Sequence, residues 1–592
     1  MKQTQINLNF PTNWNLKLLY ESPQDPQIEK DLKMYDEKRK KFAEKYENRT
    51  DYLQDEDKLL TALKEYEQLL SDLNGARPLM YFHYLTSLES NNERAQAQLN
   101  RITTQLTKAQ NRLAFFPIKL GKIDPAFQDK FLSSQKLKKY HYLLQRRFLL
   151  AQYDLKEEQE KIINLMDQPS HQMWVKGVEK ALNNKTVEYK GQKLPLSKAS
   201  QNISELPTKD RRNLHTKLLT KCSEVQDFAE TELNAIITYK QIEDELRGYQ
   251  LPYEATVLST ENNLETVETL VETVTKAFDL SHQFYQLKAQ LLELEELSYA
   301  DRAAKIGSFD RKYEFDQAYN LTYETFQNLD PEFSQILERM AANGQLDIFP
   351  KKGKVAGAFC SSSINNPSFI LLNHTNDFNS VLTLAHEMGH AIHSELSKSQ
   401  PVIYQSYSTS TAETASTFFE QFVFERLIQD FSQKERVIAL HNQLQQDINT
   451  VFRQIALFNF ELDLHNQIQE KGYLSAHRIA QLLNKHMQTY LGPLFKLNDL
   501  DGKSFIIWPH IRYFFYTYTY AFGHLVSKAL VNQVKQKPQN IQKVKQFLAA
   551  GGSDTPQHIL QAMDIDISQS NFFTQGLKVV KEDLEKLKML IN

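Results

Sequence analysis

The sequence predicts a mainly α protein with one small β-sheet beside its central motif. Helix formers dominate and helix breakers are scarce: the 592 residues include only 17 Gly and 18 Pro, with Lys, Glu, Gln and Leu abundant. Apolar positions recur at threes and fours over long stretches, the spacing of helices with one buried face. Strand and turn signals are confined to two short regions.

Taken in order, residues 27 to about 185 read as a succession of long polar helices. Within them Ala95, Leu99, Ile102, Leu106, Ala109 and Leu113 share one helical face. Such a stripe serves packing within the chain far more often than it binds a partner. The stretch KTVEYKGQKLPLSKASQN then alternates around a Lys-Gly turn before Pro and Ser. It predicts a linker or small hairpin over 186–202 that separates a helical N-terminal region, 1–185, from a unit spanning 203–592. Helical character resumes from about Leu206 to Met340. Near residue 350, GKVAGAFCSSS and, after Pro367, SFILLNHT predict two strands joined by a polar turn. Thr375, Asn376 and Asp377 supply an N-cap region for the apolar-rich helix VLTLAHEMGHAIHSEL. From Ala412 onward the pattern is again helical, apart from a Tyr- and Phe-rich stretch after Pro509. No fixed-period repeat supports a solenoid.

The length favours two to four domains or lobes, and 41% hydrophobic with 24% charged residues is ordinary for a globular enzyme. The formal net charge is −3, from 70 basic and 73 acidic residues without a basic stripe, so neither nucleic acid nor an anionic membrane is an expected partner. No run of about 18 apolar residues is present. The opening MKQTQINLNFPTNW lacks a basic n-region and an apolar h-region. Cys222 and Cys360 are too few for a disulfide framework and read as two inert free thiols. These features lead us to expect a cytoplasmic protein with no obligate protein partner.

His386-Glu387-Met388-Gly389-His390 is an HExxH motif. Two His at i and i+4 lie on one helical face, so both imidazoles reach a single Zn²⁺. Glu387 sits beside the metal rather than on it, placed to take a proton from the water that the metal activates. A catalytic zinc needs a third protein ligand and an open position. The metzincin extension requires Gly and His where this chain has His393 and Leu396, so that class is excluded. A carboxylate from a later helix remains, and TAETASTFFEQFVFERL supplies Glu413. Seven residues on, Glu420 falls on the same face, where it can accept from a ligand imidazole. A solvated helix charge is the alternative for each. His393 reads as a packed or supporting histidine, because a fourth protein ligand would close the site to water.

HEMGHAIH followed by ETASTFFE closely resembles the M3 family of zinc oligopeptidases, and within it the oligoendopeptidase F branch. The resemblance extends to GKVAGAFCSSS, to LRGYQLPYEATVL (246–258) and to FLAAGGSDTP near the C-terminus, covering roughly residues 200–590. It implies one zinc per chain on His386, His390 and Glu413, with Glu387 as general base. It further implies two mostly helical lobes around a deep channel that admits short unfolded oligopeptides, an M3-like catalytic domain over 203–592, and an N-terminal region like that of oligoendopeptidase F in its second half.

Amide hydrolysis through a metal-activated water also needs donors for the developing oxyanion. WPHIRYFFYTYTYAFGH (508–524) is rich in phenols and imidazoles. In the family, a His and two Tyr seven residues apart serve the substrate or the transition state; Tyr513 and Tyr520 match that spacing, and His510 is the nearest match to the histidine. The His–Tyr spacing is shorter than in the thimet branch, leaving Tyr516 and Tyr518 as substitutes. An aromatic core helix is the competing reading. The predicted strand, with Gly353, Ala356, Gly357, Ala358 and Phe359, is a candidate to bind an extended peptide by edge addition. Two other functions use the same residues differently: a zinc dipeptidyl carboxypeptidase with a blocked channel, and a non-catalytic helical peptide-binding protein with a vestigial metal site.

Overall fold

The computed structural model describes residues 10–591; the first nine residues of the segment read for a leader lie outside them. The chain is mainly helical. Successive N-terminal helices are set off by short Asx caps. Asp25, Asp55, Asp72 and Asn92 each accept a backbone N–H at the start of Pro26–Tyr46, Glu56–Leu70, Leu73–Leu88 and Glu93–Asn111. The expected stripe falls on the last of these helices, with Ala95, Ile102, Leu106 and Ala109 buried. No described helix is long and apolar enough to cross a membrane.

Strands β1 (Thr186–Tyr189) and β2 (Gln192–Pro195) form the hairpin the sequence suggests. Lys190 and Gly191 both have positive φ, the geometry of a tight two-residue turn that matches strand twist. The chain then re-enters helix at Leu196–Ile203. One hydrophobic cluster takes in Val175, Val178 and Val187 on either side of this point and continues to Leu587.

The second sheet has one strand more than expected, and its strands are shorter. It contains β3 (Leu346–Asp347), β4 (Phe359–Ser361) and β5 (Phe369–Leu371) in the order β3-β5-β4, with β3 parallel and β4 antiparallel to β5. The strand predicted over GKVAGAFCSSS is corrected: of its five candidate substrate-binding residues only Phe359 is in a strand. Gly353 and Gly357 have φ of +90° and +83°, which turn the chain out of the extended region. The loop is then tied down. Val355 N–H donates to Ser87 O (2.9 Å), Ser90 N–H to Gly353 O (2.7 Å), and Asn373 Nδ2 to the carbonyls of Val355 and Gly357. The N-terminal segment closes over the same sheet. Trp14 donates its indole N–H to Ile370 O (2.8 Å), and the Tyr84 and Phe369 rings sit 4.9 Å apart.

Three helices frame the region around the motif. The motif helix Phe378–Ser397 is capped by Asp377, within the expected cluster. Thr409–Leu427, capped by Ser408, packs against it, and Tyr518–Gln536 packs against Thr409–Leu427. Glycines permit these approaches: a Cβ at Gly389 would meet backbone of Ala415 and Ser416 under 3.0 Å away, and one at Gly523 would lie 3.1 Å from Ser410 O.

Candidate metal centre

Helical spacing puts His386 and His390 on one face of the motif helix, their ring centroids 5.1 Å apart. The adjoining helix brings Glu413 to the same point. Its Oε2 lies 3.4 Å from His386 Nε2 and 3.6 Å from His390 Nε2. One donor atom from each of the three residues falls within 4.8 Å of the others, and among the described residues this is the group placed to hold a metal. Two imidazoles and one carboxylate form a donor set that suits zinc and leaves a fourth position open.

Each donor is oriented by a partner. Glu420 Oε2 lies 2.9 Å from His386 Nδ1. With the carboxylate accepting from Nδ1, Nε2 is the nitrogen left to face the shared point when a metal is held there. Ser416 Oγ donates to Glu413 Oε2 at 2.9 Å, and the Ala412 carbonyl accepts from the His390 ring. In the protein alone, burial raises the Glu413 carboxyl, but His386 and His390 outweigh it and hold the group at about 2. Burial likewise lowers His386, yet Glu413 and Glu420 hold it up at about 10, while burial takes His390 down to about 4.

Glu387 is 7% exposed, and burial pushes its carboxyl up to about 7, in the range of a group that both takes and returns protons near neutrality. The Cys360 backbone on β4 faces it and acts in the opposite direction, lowering the carboxyl. Ile370 uses its own N–H toward the β3 side, so Cys360, paired opposite it, turns its backbone N–H and C=O to the free edge. The edge strand therefore borders the candidate base. Burial pushes the Cys360 and Cys222 thiols up to about 12, which keeps both protonated. His393 stacks on Tyr407 at 3.5 Å and is pushed down to about 3 by burial, a neutral packing residue.

The aromatic segment sorts into separate fates. Tyr520 lines a cavity of about 330 Å³ with His386, Glu413 and Glu420. Tyr516 Oη donates to His510 Nδ1 at 2.5 Å, and both rings lie within 6 Å of the Tyr520 ring, at 5.7 and 5.9 Å. Tyr518 points into the core, where its hydroxyl meets Thr260 Oγ1 and Asn262 Nδ2. Tyr513 stands at the surface, 56% exposed, outside the metal cavity. A turn with two left-handed residues, Phe514 (φ +50°) and Phe515 (φ +61°), makes this sorting possible. It is pinned by Phe515 N–H donating to Glu461 and by Thr256 Oγ1 donating to Phe514 O. Sequence reasoning missed a buried carboxylate that supports this cavity: His524 and Lys528, in its wall, both contact Asp447, at 2.7 and 3.0 Å. No local signal marks Asp447, which comes from a distant helix.

Comparison with known proteins agrees with this arrangement. A family model described as peptidase family M3 matches residues 207–579. Oligopeptidase PepF of Bacillus subtilis (strain 168) is 27% identical over 385 residues, covering 64% of this chain and 58% of that relative, so the chain spans little more than half of its length. The crystal structure of a putative peptidase from Chlamydophila abortus shares the fold with a TM-score of 0.86 at 20% identity, covering 98% of each chain. That of oligoendopeptidase-F from Enterococcus faecium does so at 0.70 and 20% identity, over 95% of this chain and 98% of the other. The chain belongs to peptidase family M3.

Proposed function

We propose that this chain is a zinc-dependent endopeptidase that hydrolyses internal bonds of short unfolded oligopeptides. The observation that carries the reading is the position of Glu387: buried, proton-active near neutrality, next to two metal-ligand candidates, and bordered by a free strand edge. When bound at His386, His390 and Glu413, zinc supplies Lewis acidity, polarising the scissile carbonyl and making water acidic enough to attack.

The chain's own residues do the rest. Glu420 holds the His386 tautomer through Nδ1. Glu387 takes the proton of the attacking water and delivers it to the departing amine. Tyr520 donates to the oxyanion, with the His510–Tyr516 pair beside it. Tyr513, at the surface, is assigned to substrate contact outside the metal cavity. An extended peptide aligns along the free edge of β4 at Cys360, by main-chain bonds that are tolerant of sequence. The names of the relatives, an oligopeptidase and an oligoendopeptidase, support this substrate class. A channel between two helical lobes and action in the cytoplasm belong to the same proposal.

The test is mass analysis of products from peptides of graded length with purified protein, before and after chelation and zinc return. Internal cuts that vanish with chelator and reappear with zinc are expected. Fixed dipeptides released from the C-terminus would instead identify a dipeptidyl carboxypeptidase. No cleavage of any peptide by the zinc-loaded protein would leave only the binding-protein reading.

A further inference from the structure

A second cavity, of about 480 Å³, lies on the far side of the aromatic segment, walled by Arg302, Arg453, Tyr299, Ser504, Trp508 and His510. Two arginines face it without a counter-charge. Among the described residues neither forms an ion pair with a carboxylate. Arg302 donates to the neutral Asn449 (3.0 Å), and the Arg453 guanidinium lies 4.2 Å over the Trp508 ring. The Nε of each is shielded from solvent and has no hydrogen-bond partner.

The nearby acids are already committed. Asp301 is shared by Arg211 and Arg212, at 2.8 and 2.7 Å, and by the N–H of Ser298. Asp501 accepts from Asn498 N–H and is held up at about 6 by burial, with His215 3.7 Å away. Lys288, fully buried, is driven well below its ordinary value by burial and then by the Arg302 and Arg211 charges. Arginine has no such escape. Nor do the phenols compensate: burial raises Tyr285 to about 12 and raises Tyr490 well above its ordinary value. Tyr490 Oη and Ser504 Oγ, buried, have no partner. Largely buried cations without a carboxylate partner are costly unless something negative completes them.

We infer that the cavity between Arg302 and Arg453 is a binding site for a small anion. Arg302, held by Asn449, and Arg453, held over Trp508, both line it, and Ser504 lies in the same wall. The volume accommodates a halide with water, a phosphate or a small carboxylate. Its wall also includes His510, whose pKa is lowered by burial and then by the Arg453 charge. An anion beside Arg453 offsets that charge, favouring the protonated ring and loosening its bond from Tyr516. This last coupling, unlike the site, rests on the peptidase reading.

The test is thermal unfolding of the full chain in sodium chloride, phosphate or acetate, each against a bulky sulfonate buffer salt at equal ionic strength. The expected result is a saturating Tm rise of about 2 °C or more with at least one of the three. It should be lost in Arg453→Gln and partial in Arg453→Lys, which keeps the charge but not the planar fork. The anion that acts separates halide, phosphate and carboxylate sources. Identical responses to all four salts, or an undiminished response in a folded Arg453→Gln, overturns the site. Should that variant fail to fold, wild-type crystals soaked in bromide or arsenate give the second reading. An anomalous peak within hydrogen-bond reach of Arg453 supports the site, and its absence with both ions overturns it. Neither readout uses turnover, so failure here and failure of the peptidase reading are separable.

Discussion

The Cα of Ser416 lies so near Gly389 that a Cβ added to the glycine would sit 2.6 Å from it. Gly389 is one of the two variable positions of the HExxH motif, and the contact sets the spacing between the helix bearing both histidines and the helix bearing Glu413. Gly389→Ala must therefore push the two helices apart at the metal point. The expected cost is about 1–3 kcal/mol of stability, together with weaker zinc binding. Denaturant unfolding and chelator competition measure the two effects; an unchanged zinc affinity would separate the contact from the metal geometry.

Glu420 contacts the metal-ligand candidates through His386 Nδ1. Glu420→Ala is expected to weaken zinc binding by about 10–100-fold, with turnover per bound zinc much less affected. Chelator competition on wild type and variant checks this. Equal affinities would show that the His386 tautomer needs no fixing.

Glu387 occupies the buried position beside the edge strand. Glu387→Gln keeps the shape and is expected to bind zinc normally while kcat falls at least about 10²–10⁴-fold. A quenched-fluorescent internal peptide, assayed at matched zinc occupancy, reads the loss. Full activity in a zinc-loaded variant would move the proton transfer to another residue.

Tyr520 and Tyr518 are two residues apart but face opposite environments, the metal cavity and the core. Tyr520→Phe is expected to lower kcat about 10²–10³-fold with little change in KM. Tyr518→Phe, which strips a buried hydroxyl from Thr260 and Asn262, should instead cost about 1–3 kcal/mol of stability and spare kcat. Steady-state kinetics alongside unfolding curves separate the two outcomes, and a reversed pattern would exchange their roles.

Glu461 is fully buried, and burial raises its carboxyl to about 8 although Phe515 N–H opposes the shift. The folded state thus holds a proton that the unfolded chain releases near its ordinary value. Its contribution is greatest below that value and is lost as pH rises from about 4.5 to about 8. Glu461→Gln retains an acceptor for Phe515 N–H without titrating. Relative to wild type the variant should gain stability across that window, on the order of a few kcal/mol in total, and run parallel above it. Unfolding free energies at a series of pH values test this; parallel curves throughout would mean the carboxyl ionises freely in the fold.

The sequence alone determined what is written in local periodicity. Helical content, the capping of the motif helix, the pairing of His386 with His390 and the position of Glu387 all follow from spacing along one segment, because an α-helix converts i and i+4 into one face. Even the hairpin at Lys190-Gly191 is a local event. What lies opposite a given face is decided by packing among segments far apart in the chain. Only the tertiary structure showed that the imidazole Glu420 meets is that of His386, that Gly389 admits Ser416, that Tyr518 turns inward while Tyr520 reaches the cavity, and that Asp447 ties together His524 and Lys528 of its wall. The strand predicted over GKVAGAFCSSS formed only from Phe359 for the same reason: two left-handed glycines and bonds to the N-terminal region held its first half as a loop. Charge balance is equally non-local, since Arg302 and Arg453 look unremarkable in sequence and become unpaired only when the fold assigns Asp301 to Arg211 and Arg212.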